Sequence, residues 1–285
     1  MNPPADSAAP AAPELVLEAG RADVHYWHDL WRYRELLGFL AWRDIMVRYK
    51  QTVLGAAWAL LQPAITLVVF TFVFGRLAKM PAGGLTPEQY PLLVMAGLLP
   101  WQLFANALSS ASGSLVSNTH LISKVYFPRL VVPLSALAVA LIDFLIVGLL
   151  YLGLCAWWSF WPDWRVLLLP LFTLLGLLAA LGAGLWLTAL TVRFRDFRFI
   201  VPFLLQVGVF LSPVGFSTSN VPSWRFLFSF NPMVAVIDGF RWCLLHGAQP
   251  FYVPGLLIGL GVTAALLVSG LWYFRRTERS FADVI

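Results

Sequence analysis

The sequence predicts an all-α integral membrane protein with six transmembrane helices, and three observations carry that prediction. Of its 285 residues 60% are hydrophobic and only 12% are charged, against about 25% charged in an ordinary soluble domain. Long uncharged runs divide the chain at the intervals expected of membrane spans. The 19 Lys and Arg residues fall between those runs, far more on one side of the expected membrane than on the other.

Taken in order, residues 1–20 are rich in Ala and Pro and carry Asp6, Glu14 and Glu18. They lack the basic leader and continuous apolar stretch of a signal peptide, so a flexible tail is expected ahead of one membrane domain over 21–285. Residues 28–50 mix Trp31, Leu36, Leu37, Leu40, Trp42 and Ile45 with Arg32, Arg34, Glu35, Arg43, Asp44 and Arg48. Trp rings and long basic stems suit the headgroup layer, which predicts an amphipathic interface helix lying along the cytoplasmic surface. A hydrocarbon core about 30 Å thick takes about 20 helical residues to cross, and spans are expected at 53–77, 90–110, 130–157, 166–192, 199–216 and 253–274. The fifth contains Pro202 and Pro213 and ends near Gly215, so a kinked or shortened helix is expected there. Between it and the sixth, 224–230 and 234–245 are apolar but too short to span, which predicts a re-entrant hairpin at the outer mouth.

Six spans place both termini on one side. That side holds fourteen of the 19 basic residues: Arg21, Arg32, Arg34, Arg43, Arg48, Lys50, Lys124, Arg129, Arg193, Arg195, Arg198, Arg275, Arg276 and Arg279. Arg76, Lys79, Arg165, Arg225 and Arg241 fall on the other. The positive-inside rule makes the termini cytoplasmic.

The net charge of +5 is scattered over short loops and forms no basic patch for nucleic acid. No G-x-x-x-x-G-K-[ST], H-E-x-x-H or G-x-S-x-G sequence occurs, so catalysis has no visible carrier. His25, His28, His120 and His246 lie near no second cluster of metal ligands, and Cys155 and Cys243 are far apart, so neither a metal site nor a disulfide framework is indicated. Asp143 is the one ionisable residue deep in the third expected span. Such a carboxylate faces a bundle interior or a water-filled path, or is tied to a hydroxyl or Arg of a neighbouring helix. Aromatic residues make up 15%, with 13 Trp and 22 Phe; Trp101, Trp157, Trp158, Trp161 and Trp164 lie near predicted borders as interfacial anchors. Rings inside a bundle would equally serve as a sliding track for a glycan, through the apolar face of the pyranose.

Two inner loops, 118–129 and 191–199, combine basic and aromatic residues. Tyr126, Phe127, Phe194 and Phe197 exposed there predict a docking surface; the alternative is packing against the bundle or headgroups.

The run RDIMVRYKQTVLGAAWALLQP, residues 43–63, resembles the approach to the first helix of ABC-2 polysaccharide export permeases. Residues 96–144, AGLLPWQLFANALSSASGSLVSNTHLISKVYFPRLVVPLSALAVALIDF, are similar to that family's second helix, inner loop and third helix, and SWRFLFSFNPMVAVIDGFRWCLL, residues 223–245, resembles its outer-loop block. The resemblance implies a homodimer resting on two ATP-binding subunits and moving a lipid-linked polysaccharide, such as O-antigen, capsule or teichoic acid, out across a bacterial inner membrane. ATP and Mg would be bound by the partner, leaving this chain without cofactor. It also implies that Asn118, Lys124, Tyr126, Phe127, Arg129, Arg193, Arg195 and Asp196 couple to the ATPase and that Trp224, Phe228, Asn231, Pro232, Asp238 and Arg241 form an outer gate. A drug or small-lipid exporter of the same superfamily shares the six-span plan, and a membrane-embedded glycan enzyme or a passive anchor remain as readings from other classes.

Overall fold

The computed structural model describes residues 26–50, 53–278 and 281. The tail expected over 1–20, His25, and Arg21 and Arg279 of the charge asymmetry lie outside those residues. Among the described residues there are eleven α-helices and no strand. In chain order they are α1 (Tyr26–Arg32), α2 (Arg34–Lys50), α3 (Val53–Phe70), α4 (Tyr90–Ser117), α5 (Thr119–Lys124), α6 (Val131–Trp157), α7 (Leu169–Arg193), α8 (Phe197–Leu211), α9 (Arg225–Phe228), α10 (Pro232–Leu244) and α11 (Val253–Glu278).

Five stretches are long and apolar enough to cross a membrane: Ala57–Leu77, Pro87–Ser117, Val131–Trp157, Trp164–Arg193 and Val253–Glu278. They coincide with five of the expected spans. The first runs past Phe70 as a wider turn over Thr71–Leu77, where the Ala78 N–H bonds the Val73 carbonyl at 2.8 Å, five residues back. The second is about two turns longer than expected. The hydroxyls of Ser112, Ser114 and Ser117 each donate to a carbonyl three residues earlier, so these polar residues are satisfied within the helix and do not end it.

The fifth expected span is α8, whose 15 residues rise about 22 Å, less than the hydrocarbon thickness. It stops before Ser212 and Pro213 because proline offers no N–H to the preceding turn. The chain then continues without helix to the level where α4 begins, and the Tyr90 hydroxyl donates to the Gly215 carbonyl at 2.7 Å.

At the centre, α4 packs against α6, α7 and α10, while α11 covers α7 and α2 runs along α6. Lipid tails are as apolar as leucine, so close approach and dispersion hold such helices together more than exclusion of water does. The α7–α11 contact shows this directly: a Cβ on Gly270 would stand 2.4 Å from the Gly182 carbonyl oxygen. Nearby, Trp186 stacks on Tyr273 with ring centroids 4.2 Å apart and its indole N–H donates to Ser269 Oγ at 3.1 Å. Cys155 and Cys243 are buried thiols.

The two ends of the described chain meet. Tyr26 Oη donates to Glu278 Oε2 at 3.2 Å, the Arg129 N–H donates to Glu278 Oε1 at 2.9 Å, and the Arg275 guanidinium stands 4.6 Å over the Tyr26 ring. At the opposite end Gln249 Nε2 donates to the Gly83 carbonyl at 2.8 Å, where Gly83 holds a φ of +57° that glycine adopts without strain.

The α2 helix departs from the flat surface helix expected of it. Arg43 Nη2 donates to Asn118 Oδ1 at 2.6 Å, level with the C-terminal end of α4. Arg48 and Tyr49, one to two turns on, reach Asp143, twelve residues or about 18 Å into α6. The C-terminal end of α2 is thus held against α6 through the Asp143 carboxylate. Trp42 of α2 remains exposed, as does Trp31 of α1, whereas Leu40 is fully buried.

Candidate functional site

A cavity of about 570 Å³ opens between α3, α4, α6 and α8. Its lining repeats at helical spacing: Trp58, Gln62 and Thr66 on α3; Leu98, Trp101, Gln102, Ala105, Asn106 and Ser109 on α4; Pro202, Leu205, Gln206 and Val209 on α8. Steps of three and four residues keep one face of each helix toward the space. Asp143 and Val147 of α6 close the back. Pro63 and Ala59 share the lining, and the missing proline N–H leaves the Ala59 carbonyl without its helical donor, adding a backbone acceptor to this stretch. Trp101 fixes the spacing of α4 and α8, since a Cβ on Gly208 would lie 2.7 Å from its ring.

Asp143 is buried to 3% exposure and has three partners. Arg48 Nη2 pairs with Oδ2 at 2.6 Å, Asn106 Nδ2 donates to the same oxygen at 3.1 Å, and the Tyr49 hydroxyl donates to Oδ1. Of the two sequence readings of Asp143 the structure supports both at once: the carboxylate is tied to a neighbouring Arg, and it lines a cavity. One buried carboxylate thereby joins α2, α4 and α6.

The residues expected to form the outer gate lie around a buried cation. Arg241, fully buried, donates from Nη1 to the Phe216 carbonyl at 2.6 Å, from Nη2 to the Val214 carbonyl at 2.8 Å and from Nε to the Leu93 carbonyl at 3.4 Å. It fastens the segment after α8 to α4 by the planar five-donor fork that only arginine offers. Asp238 accepts from Thr218 Oγ1 at 2.9 Å. Asn231 caps α10, accepting from the Met233 N–H at 3.0 Å and donating to Ser212 Oγ at 2.9 Å, with Pro232 in the first helical turn where a missing N–H costs nothing. Trp224 is exposed, and Phe228 meets Phe216 edge-on at 6.2 Å. The α10 helix is packed among α4, α7 and α11.

The inner residues divide into two kinds. Lys124, Tyr126, Arg193, Phe194, Arg195 and Asp196 are exposed. Phe127 is not: at 4% exposure it packs with Leu40, Leu130 and Phe274, which corrects the expectation that it faces the cytosol. Arg129 is engaged with Glu278, and Asn118 with Arg43. The apolar ring of Phe127 is drawn into the gap that α2 and α11 leave beside α6.

Sequence reasoning missed the cavity amides Gln62, Gln102 and Gln206, together with Trp58 and Asn106. Their signal was present, as amides placed in otherwise apolar runs at helical spacing, but nothing in the sequence says that α3, α4 and α8 face one another. Among the described residues no group of three His, Cys, Asp or Glu side chains comes together as a metal site.

Residues 35–245 match the family described as ABC-2 type transporter. The chain is similar to the O-antigen export system permease protein of Myxococcus xanthus, 28% identical over 260 residues that cover 90% of this chain and 98% of that protein. It is also similar to the polysialic acid transport protein of Escherichia coli, 26% identical over 72% of this chain and 79% of that one. The inner membrane transport permease of Escherichia coli strain K12 is 25% identical over 65% of this chain and 75% of its own length.

Proposed function

This chain belongs to the ABC-2 type transporter family, and from that premise we propose that it is the permease subunit of an exporter of lipid-linked polysaccharide of the O-antigen type. A separate ATP-binding subunit supplies the energy, holding ATP and Mg itself. The observation that carries this reading is the cavity, in which amide, hydroxyl and indole groups from three apolar helices converge beside Asp143 of a fourth. The export functions named for the relatives support the cargo.

Gln62 and Gln206 are exposed on the single chain, and amides facing hydrocarbon are costly. Around them α3 and α8 expose Ile65, Val68, Phe203 and Phe210. A second copy of the chain placed against this side covers the amides and turns two open cavities into one path, which supports a homodimer. The meeting of the two ends of the described chain supports an even number of passes, six with α8, and the basic residues at that end support cytoplasmic termini in an inner membrane. The short α9 and the buried α10 form the outer gate as a re-entrant pair. The exposed side chains of Lys124, Tyr126, Arg193, Arg195 and Asp196 are where the ATP-binding subunits dock, and α2 carries their motion along α6 to Asp143.

The test is co-purification of the tagged chain with its ATP-binding subunit, followed by ATP hydrolysis with and without lipid-linked glycan. A stable complex whose hydrolysis responds to glycan is expected. A permease that retains no ATP-binding subunit under gentle extraction would refute the reading.

A further inference from the structure

We propose that Gln62, Gln102 and Gln206 are the hydroxyl-recognising groups of the cavity and that they favour an uncharged stretch of sugar chain over an anionic one; this rests on the export reading and names the chemistry of its path. The three amides come from three different helices, α3, α4 and α8, and line one space. None of their side chains makes a hydrogen bond within the described chain. A primary amide offers two donors and a carbonyl acceptor, the complement of a sugar hydroxyl that both donates and accepts. Left unmet inside a membrane such groups are expensive, so three of them kept in one apolar site call for a ligand or water rich in hydroxyls.

Charge argues the second half. The charged residues among the described lining are Arg48 and Asp143, and their 2.6 Å pairing cancels them. The Arg48 guanidinium already faces a carboxylate, and the rest of the lining offers neutral donors and acceptors with the exposed indole of Trp58 among them. Indole faces take the apolar side of a pyranose and amides take its equatorial hydroxyls, so a passing chain exchanges one set of weak contacts for the next. No single strong ionic contact arrests it.

The experiment uses the permease with its ATP-binding subunits in proteoliposomes and two probes, a lipid-linked neutral oligosaccharide and a counterpart carrying a carboxylate on each repeat. Gln62→Met, Gln102→Met and Gln206→Met keep the length and helix preference of the side chain and remove its hydrogen bonds. Each is expected to lower uptake of the neutral probe about fivefold to tenfold, the scale of one lost hydrogen bond, while the complex elutes as the wild type does. Gln102→Asn, still an amide, is expected to fall between. The wild type is expected to take the neutral probe faster than the acidic one. Met variants that transport at the wild-type rate, or equal rates for the two probes, would overturn this inference alone. A wild-type complex that takes up neither probe would overturn the export reading as well.

Discussion

The Arg48 guanidinium lies 2.6 Å from the Asp143 carboxylate, and the two side chains differ sharply in exposure, 45% against 5%. Deleting either partner is therefore not equivalent. Arg48→Ala strands a carboxylate in a buried site, whereas Asp143→Asn leaves a guanidinium that turns to water. The arginine variant is expected to lose about 1–3 kcal/mol and the asparagine variant less. Their combination is expected to fall short of the sum by more than about 0.5 kcal/mol, as contacting residues do. Reversible unfolding in mixed micelles measures all three, and strict additivity would deny the coupling.

Two adjacent aromatic residues should behave oppositely. Phe127 is buried and Tyr126 is 66% exposed. Phe127→Ala is expected to cost about 3–5 kcal/mol by opening a cavity, visible as a lower midpoint of unfolding. Tyr126→Ala is expected to leave that midpoint within about 0.5 kcal/mol and to weaken retention of the ATP-binding subunit during purification. Normal retention in Tyr126→Ala would remove it from the docking surface.

The α7–α11 crossing offers a test of packing with an internal control. Gly270→Ala would press a methyl group into the Gly182 backbone, whereas nothing lies within 4 Å of a Cβ on Gly261 of the same helix. The first is expected to destabilise by about 1–3 kcal/mol. The second should be neutral or stabilising by up to about 1 kcal/mol through helix propensity. Equal effects would place the crossing elsewhere.

Arg241→Lys keeps the charge but not the fork. A single ammonium cannot serve the Leu93, Val214 and Phe216 carbonyls together, and each carbonyl left buried costs about 1–3 kcal/mol. Limited proteolysis is expected to cut the variant between residues 212 and 220, a segment mostly buried in the wild type, and to spare the wild type there. Unaltered protection would mean that α10 alone holds that segment.

The membrane class and five of the spans were legible in the sequence. Length and hydropathy of a helix are local properties, summed over about 20 consecutive residues. The inner loops were legible as basic and aromatic, and the three quoted stretches already resembled the family to which the chain belongs. Not legible was the fate of individual side chains in those loops. Tyr126 and Phe127 are neighbours of similar chemistry, and only the arrival of Leu40 and Phe274 from distant helices separates an exposed ring from a buried one.

Asp143 marks the same boundary from within the bilayer. The sequence by itself determined that a carboxylate sits amid apolar residues and requires a partner, because an isolated charge there is too costly. Tertiary structure alone decided that Arg48, Tyr49 and Asn106 supply the donors, and that Gln62, Gln102 and Gln206 share a cavity with it. The reason is geometric: helical periodicity tells which residues of one helix share a face, but which faces meet depends on crossings made by glycines and aromatic rings far apart in the chain.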